Sequence, residues 1–437
     1  MTSHPVTTHD RPDAAPRGHV GWIVAASLTT GLIVGPLLVV APFIEPDERD
    51  VTGALLAGFA VGWGMLALLS ERLSDQPQRW ALAPAAFMGV AGLLLIVFGS
   101  TVYDVLDWVW PPALLALVVW MFVSARRRLR SRSRRWLLYP VFAMLAVASV
   151  GGAYETVRDA VDADVTPMPG QLIDVGGHKL HLSCTGSGSP TVVMQPGAGG
   201  SSSDFGWIAP VVARDTRVCV YDRAGRGWSE WADGTQDGAR IATDLRTLLH
   251  RGNVSGPYVM AGHSFGGLYT LTFAARYPDE VAGMVMVDST APASGAASPE
   301  DDPSSSDILK RASALLSSSA RLGLGRLVGL SGGTTANAMA MRSTIDEYAQ
   351  TSESVNEAGS LTDFANKPLV VLTAGEGNDD DWQAKQDKLA TLSTNSAHRV
   401  VSGATHPSLI FDKQDAAETT QAILDVVAAV RESTKVQ

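Results

Sequence analysis

The stretch Val259-Met-Ala-Gly-His-Ser-Phe-Gly-Gly-Leu268 decides how this chain is read. A short apolar run enters it from Tyr258, and a helix-forming run, Leu268 to Arg276, leaves it. Between them stands Gly-x-Ser-x-Gly, with Ser264 at the centre. Strand, tight turn and helix in that order present a serine hydroxyl at the tip of a sharp bend, the arrangement of a nucleophile elbow. Gly262 and Gly266 matter because a side chain at either would crowd the turn and the backbone beside it. In a chain with 42 glycines the pentapeptide alone is weak. Its place between a strand and a helix, with ordered partners on both sides, gives it weight.

Working outward, the residues before the elbow are of a different kind. The 437 residues are 46% hydrophobic and only 18% charged, oilier than a typical soluble protein. Nearly all the long apolar runs lie before Tyr154. Five can be marked, roughly Val20 to Ile44, Val51 to Leu69, Trp80 to Phe98, Val105 to Val123 and Trp136 to Ala153. Each approaches the roughly 20 residues that span a bilayer core. The fourth is the poorest, with Asp107 and the pair Pro111-Pro112 inside it. Trp22, Trp80, Trp108 and Trp136 lie near run ends, where interfacial anchors are expected. The chain thus divides into a disordered tail over 1–18, a transmembrane domain of five helices over 19–153, a linker over 154–170 and a globular domain over 171–437. The lipid bilayer is the first expected partner.

Orientation follows from the loop Arg126-Arg-Arg-Leu-Arg-Ser-Arg-Ser-Arg-Arg135, which carries seven arginines. The positive-inside rule places it in the cytoplasm. The loop around Arg72 and Arg79 then also lies inside, while Glu45 to Asp50 and Thr101 to Asp104 lie outside, and these two are acidic or carry no basic excess. The fifth span carries the chain outward. The expectation is a multi-pass protein of the cell membrane whose globular domain is extracytoplasmic. The formal net charge is -10, and the arginine-rich stretch lies between spans, so no nucleic-acid partner is expected.

From Gln171 the pattern becomes short apolar runs separated by turns. Strands are expected at His178 to Cys184, Thr191 to Met194, Thr216 to Tyr221, Tyr258 to Ala261, Val281 to Val287, Leu369 to Thr373 and Arg399 to Val401, with a helix at Ala239 to Leu249. Alternating strands and helices imply a parallel sheet covered on both faces, an α/β fold. The glycine-rich loop Pro196 to Gly200 lacks a Gly-Lys-Ser/Thr ending, so a nucleotide site is not expected. No metal-ligand spacing stands out, and neither a metal nor a cofactor is expected.

Five features in order carry a resemblance. They are the Pro196-Gly197 loop after a strand, Tyr221-Asp-Arg-Ala-Gly-Arg-Gly-Trp-Ser229, the Gly-His-Ser-Phe-Gly-Gly elbow, Val287-Asp288 and a late Gly403-Ala-Thr-His406. From Gln171 onward the chain resembles the α/β-hydrolase fold superfamily, serine hydrolases of the esterase and lipase kind, here behind an all-α transmembrane bundle. The resemblance implies Ser264 as nucleophile and His406 as general base. It implies an acid that holds the imidazole in the correct tautomer. Two positions compete for that role, Asp288 at a strand end and Asp379 or a neighbour in Ala374-Gly-Glu-Gly-Asn-Asp-Asp-Asp381; Asp288 is preferred. His263 is expected to point away from the chemistry. The oxyanion hole would use the amides of Phe265 and Ala198.

The resemblance also implies a helical lid at about 291–366, where Leu315 to Leu330, Met339 and Met341 would pack or line an acyl pocket, and Asp301 and Asp302 would be loop charges. If the family's strand order holds, Cys184 and Cys219, the only cysteines, lie on neighbouring strands, and an extracytoplasmic location would let them pair. The implied activity is cleavage of an ester-like bond in a small-molecule or lipid substrate through an acyl-enzyme. A peptidase or thioesterase would use the same residues. Haloalkane or epoxide chemistry fits less, because those relatives carry aspartate at the elbow. The alternative from another class is a non-catalytic hydrolase-like domain that binds a ligand or partner on a membrane protein.

Overall fold

A computed structural model describes residues 20–98, 103–129, 135–165, 167–232, 235–292 and 338–436, with scattered residues between 308 and 322. The N-terminal tail, residues 99–102, half of the arginine loop (130–134), and Asp301, Asp302 and most of 315–330 fall outside the described residues. The chain forms two compact units, Met1–Val157 and Arg158–Gln437.

The first unit is helical: α1 Val20–Val39, α2 Glu48–Leu73, α3 Leu82–Phe98, α4 Tyr103–Arg128 and α5 Tyr139–Val165, whose last turns run into the second unit. Among the described residues, five helices are long and apolar enough to cross a membrane. α1 and α2 meet through glycines. A Cβ at Gly62 would stand 2.8 Å from the Ser27 carbonyl, and one at Gly58 would collide with the backbone of Gly35. Small residues of this kind let membrane helices approach closely where no hydrophobic drive exists between them.

Pro111 and Pro112 do not interrupt α4. A proline leaves the carbonyl four residues earlier without its helical donor. For Pro111 that carbonyl belongs to Asp107, and Thr156 Oγ1 of α5 donates to it at 3.2 Å. Ser149 Oγ of the same helix donates to Pro111 O at 2.7 Å. The neighbouring helix α5 therefore supplies a donor to the carbonyl that Pro111 leaves without one.

Two expectations for this unit need correction. Trp22, Trp108 and Trp136 are exposed on the bundle, but Trp80 is buried. Its indole donates to Gln78 Oε1 at 2.7 Å and its ring packs against Trp63 and Phe142. It belongs to the bundle's interior because a polar partner two residues away satisfies its only donor. Second, the stretch from 154 is not a linker over its whole length: α5 continues to Val165. The polar residues there, such as Glu155 and Arg158, mark where the helix loses its apolar character and not where it stops.

The second unit is built on one eight-stranded sheet with order β1-β2-β4-β3-β5-β6-β7-β8. The strands are β1 Gln171–Asp174, β2 Lys179–Thr185, β3 Thr191–Gln195, β4 Val218–Tyr221, β5 Tyr258–His263, β6 Val281–Val287, β7 Leu369–Glu376 and β8 Ser396–Thr405. β1 and β2 are antiparallel, and all pairings from β4 through β8 are parallel. The central strands are buried on both faces. Val193, Met260 and Val371 pack on one side with Leu245 and Leu268. Val192, Val259 and Val370 pack on the other with Ile423 and Val426. That double burial is why these strands read as continuous apolar runs with no polar alternation.

Cys184 and Cys219 face each other across the antiparallel β2–β4 pair and form a disulfide with Cα atoms 4.0 Å apart. The bridge joins positions 35 residues apart, a loop closure that stabilises by roughly 4 kcal/mol in the chain-entropy description. Chemical denaturation of the second unit with and without reductant is expected to differ by an amount of that order. Equal midpoints would show that the bridge contributes nothing.

Candidate active site

The parallel strands end on one edge, and it is there that an open α/β sheet gathers its ligand-binding loops. β5 ends at His263 and the helix Phe265–Arg276 begins two residues later. Ser264 alone makes the turn, with φ 55° and ψ -126°. This conformation costs a non-glycine residue about 1–3 kcal/mol. The surroundings enforce it. The Ser264 amide donates to Val287 O at 3.1 Å, and Thr290 N donates to Ser264 O at 3.0 Å. A Cβ at Gly262 would stand 2.5 Å from Gly266 O, and one at Gly266 would collide with Gln195 O. Both glycines of the motif are there for space.

Asp288 follows β6 at φ 41° and is fully buried. Its Oδ2 accepts from His406 Nδ1 at 2.6 Å. Its Oδ1 accepts from Trp382 Nε1 at 2.9 Å, Asn378 Nδ2 at 3.1 Å and Ala374 N at 3.2 Å. Burial opposes ionisation of this carboxyl, but the bonds from His406, Trp382 and the Ala374 amide outweigh it and hold its pKa below the usual value. Asp379 does something else: it caps the helix Asp380–Ala390, accepting from Trp382 N at 2.8 Å. The two candidate acids therefore separate by contact, and His406 meets Asp288.

His406 follows β8 and lies near two rings, His263 at 4.7 Å and Trp382 at 6.1 Å. Here His263 departs from expectation. It does not point away: its Nε2–H donates to the His406 carbonyl at 3.1 Å, since a carbonyl can only accept. Burial, then the nearby His406, push its pKa down to about 4. It is a neutral ring wedged between Ser264's strand and the histidine loop. Trp382 carries no sequence signal for its role, since its contacts with Asp288 and His406 come from a helix after β7. The structure thus gathers Asp288, His406, His263 and Trp382, with Ser264 next in chain to His263.

The Pro196–Gly200 loop faces the elbow. A Cβ at Gly197 would lie 3.1 Å from Ser264 Cβ and 3.2 Å from His263 Nδ1. The Gly199 amide donates to Glu347 Oε2 at 3.0 Å and the Gly200 amide to Gly197 O at 3.0 Å. Phe265 stands first in its helix, so its N–H is one of the donors a helix cannot satisfy internally.

The Tyr221 to Ser229 segment supports this loop. Asp222 Oδ1 accepts from Ser202 N at 2.6 Å, and its Oδ2 accepts from His181 Nδ1 at 2.8 Å and Trp228 N at 3.2 Å. His181 Nε2 also faces an acceptor, Pro169 O at 2.5 Å. Only the doubly protonated ring can donate on both sides. Burial disfavours that charge, but the bonds to Asp222 and Pro169 outweigh it and raise the His181 pKa. A raised folded pKa gives stability that is complete below the unfolded value of about 6.5 and is lost as pH rises through the folded value. The thermal midpoint is therefore expected to fall as pH rises above about 6.5, and His181→Gln should flatten that slope. Equal slopes in the two proteins would contradict it.

Residues 190–329 match the protein-family model described as alpha/beta hydrolase fold, a range that includes β3 to β6 and the Ser264 turn. The second unit is an α/β-hydrolase fold domain. An uncharacterized protein of Schizosaccharomyces pombe is 39% identical over 151 residues, covering 28% of this chain and 28% of that protein. The uncharacterized protein YbdG of Bacillus subtilis is 27% identical over 121 residues, covering 27% of this chain and 37% of that protein. An uncharacterized vacuolar membrane protein of Saccharomyces cerevisiae is 35% identical over 86 residues, covering 19% of this chain and 13% of that protein. The chain thus spans well under half the length of these relatives. A thermophilic esterase from Thermogutta terrifontis superposes with a TM-score of 0.45 at 21% identity, covering 60% of this chain and 99% of that one.

Proposed function

We propose that this hydrolase-fold domain is a membrane-anchored serine hydrolase that cleaves an ester-like bond. The observation that carries the reading is the 2.6 Å hydrogen bond between His406 Nδ1 and buried Asp288, made at the sheet edge where Ser264 occupies its strained turn. With Nδ1–H committed to Asp288, Nε2 is the ring nitrogen left to accept a proton.

In the proposed reaction Ser264 Oγ attacks the acyl carbonyl and His406 takes the hydroxyl proton. The carbonyl oxygen becomes an oxyanion, stabilised by the Phe265 and Ala198 amides. Collapse breaks the bond to the leaving alcohol, which receives the proton from His406. Water, deprotonated by His406, then attacks the acyl-serine; the acyl–Oγ bond breaks, Ser264 Oγ takes the proton back from His406, and the acid leaves.

The proposal also assigns the five apolar helices to a cell membrane and the domain to its extracytoplasmic side. The disulfide supports this, since such bonds persist in oxidising compartments. A substrate drawn from lipid or envelope esters suits an active site tethered to a bilayer. A panel of p-nitrophenyl esters of rising chain length tests the activity and its acyl preference together. Turnover that Ser264→Ala abolishes is expected. Ligand binding without turnover of any ester, thioester or peptide substrate would favour a binding domain instead.

A further inference from the structure

The Pro196–Gly200 loop is held by buried charges that the proposed chemistry does not use. Arg223 donates from its two terminal nitrogens to Pro196 O and Gly197 O, each at 2.7 Å. Arg226 donates to Gly199 O at 3.1 Å. Both arginines converge on one carboxylate, Glu347, through a 2.8 Å bond from Arg223 Nε and a 3.6 Å ion pair from Arg226. Glu347 itself accepts from the Gly199 amide at 3.0 Å. Three carbonyls and one amide on either side of Ala198, those of Pro196, Gly197 and Gly199, are thereby tied to one cluster.

Glu347 comes from far away in the chain. It lies on the helix Ala338–Ala349, between β6 and β7. That helix docks beside the site: Tyr348 packs edge-on against Phe265 at 5.3 Å, Ser343 Oγ donates to Ala224 O at 3.0 Å, and Arg342 covers the Trp231 ring at 4.2 Å. Burial opposes the charge on Glu347, but Arg223 and Arg226 outweigh it and lower its pKa. Two guanidiniums and a carboxylate, each at most 3% exposed, are an expensive way to gain stability, since apolar residues of the same volume often do as well. What such a cluster does supply is fixed geometry.

We propose that Glu347 is a positioning residue, whose carboxylate, delivered by the helix Ala338–Ala349, fixes the Pro196–Gly200 loop so that the Ala198 amide is aimed at the oxyanion. This rests on the serine-hydrolase reading given above. It means that the oxyanion site is assembled only while that helix is docked, which couples the helix to catalysis.

The test compares full-length wild type, Glu347→Gln, and the double variant Arg226→Met/Glu347→Gln in detergent. The double variant removes one positive and one negative group, so the cluster keeps its net charge. Amide hydrogen exchange reads the loop directly and needs no activity. In both variants the peptide covering 196–200 is expected to exchange about tenfold faster while the sheet keeps wild-type protection. With a p-nitrophenyl ester, kcat is expected to fall about 10- to 100-fold with KM changed by less than about threefold. Unchanged loop exchange overturns the proposal. So does wild-type kcat in the double variant, which would reduce Glu347 to charge balance. Loss of protection across the whole sheet in both variants would assign it to global stability and overturn the proposal as well. If wild type turns over no ester, the serine-hydrolase reading fails, and loop exchange still decides whether Glu347 is the clamp.

Discussion

Ser264→Ala is expected to lower kcat for ester hydrolysis by about 10⁴-fold or more. The reason is local. The hydroxyl is the only atom lost, and the elbow around it is held by other groups: the Ser264 amide on Val287 O, the Thr290 amide on Ser264 O, and the two glycine contacts. Alanine takes on the same strained φ of 55° with the same Cβ. Thermal unfolding should therefore move little, with a stability change of less than about 1 kcal/mol. Loss of activity with retained stability separates a nucleophile from a structural serine. A variant that retained a tenth or more of wild-type kcat would remove Ser264 from the reaction.

The second large effect is expected at Asp288. In Asp288→Asn the three donors on Oδ1, from Trp382, Asn378 and Ala374, still find an amide oxygen. The other limb changes from acceptor to donor. Its N–H would donate to His406 Nδ1 and drive the ring proton onto Nε2, the nitrogen that must accept from Ser264. A wrong tautomer of this kind costs about 10⁴-fold in kcat where it has been isolated in a serine triad. Asp379→Asn is the matched control, because it alters a helix cap and no contact to His406. It should cost at most about 1 kcal/mol of stability and leave kcat within about twofold. Kinetics of the two purified variants decide the matter: equal losses, or a larger loss at Asp379, would reverse the assignment.

The depressed pKa of Asp288 adds a dependence on acid. A folded-state value below the unfolded one gives stability that is present above about pH 4 and lost as pH falls through the lower folded value. The His181–Asp222 pair works in the opposite direction, toward high pH.

Much of the fold was legible because its causes are local or repetitive. Apolar runs of about 20 residues have few uses other than spanning a bilayer. Strands buried on both faces, such as Val281–Val287, stand out as short runs with no polar residue. The elbow announced itself through Gly262 and Gly266, whose small size the turn demands. What the chain concealed depends on long-range contact. Trp80 looked like an interfacial anchor because its partners, Trp63 and Phe142, belong to other helices. α5 looked shorter than it is because polarity rises before helicity ends.

The same limit applies to the site. Spacing could not separate Asp288 from Asp379, since both sit in loops at the correct edge of the sheet. Their hydrogen bonds separate them at once. His263 looked like a residue turned away, because adjacency in sequence does not show that a loop from β8 closes over it. Arg223 and Arg226 were visible only as part of a motif. Their partner Glu347 lies 124 positions beyond Arg223, in a stretch whose composition suggested nothing but a lid.

The central claim is that Ser264 is an activated nucleophile in an intact site. Reaction of the full-length protein with a fluorophosphonate, followed by mass mapping of the modified peptide, tests it most directly. A single adduct on Ser264, formed at a rate that Asp288→Asn greatly reduces, is the predicted result. No adduct under conditions that label a control esterase, or an adduct on another residue, would contradict it.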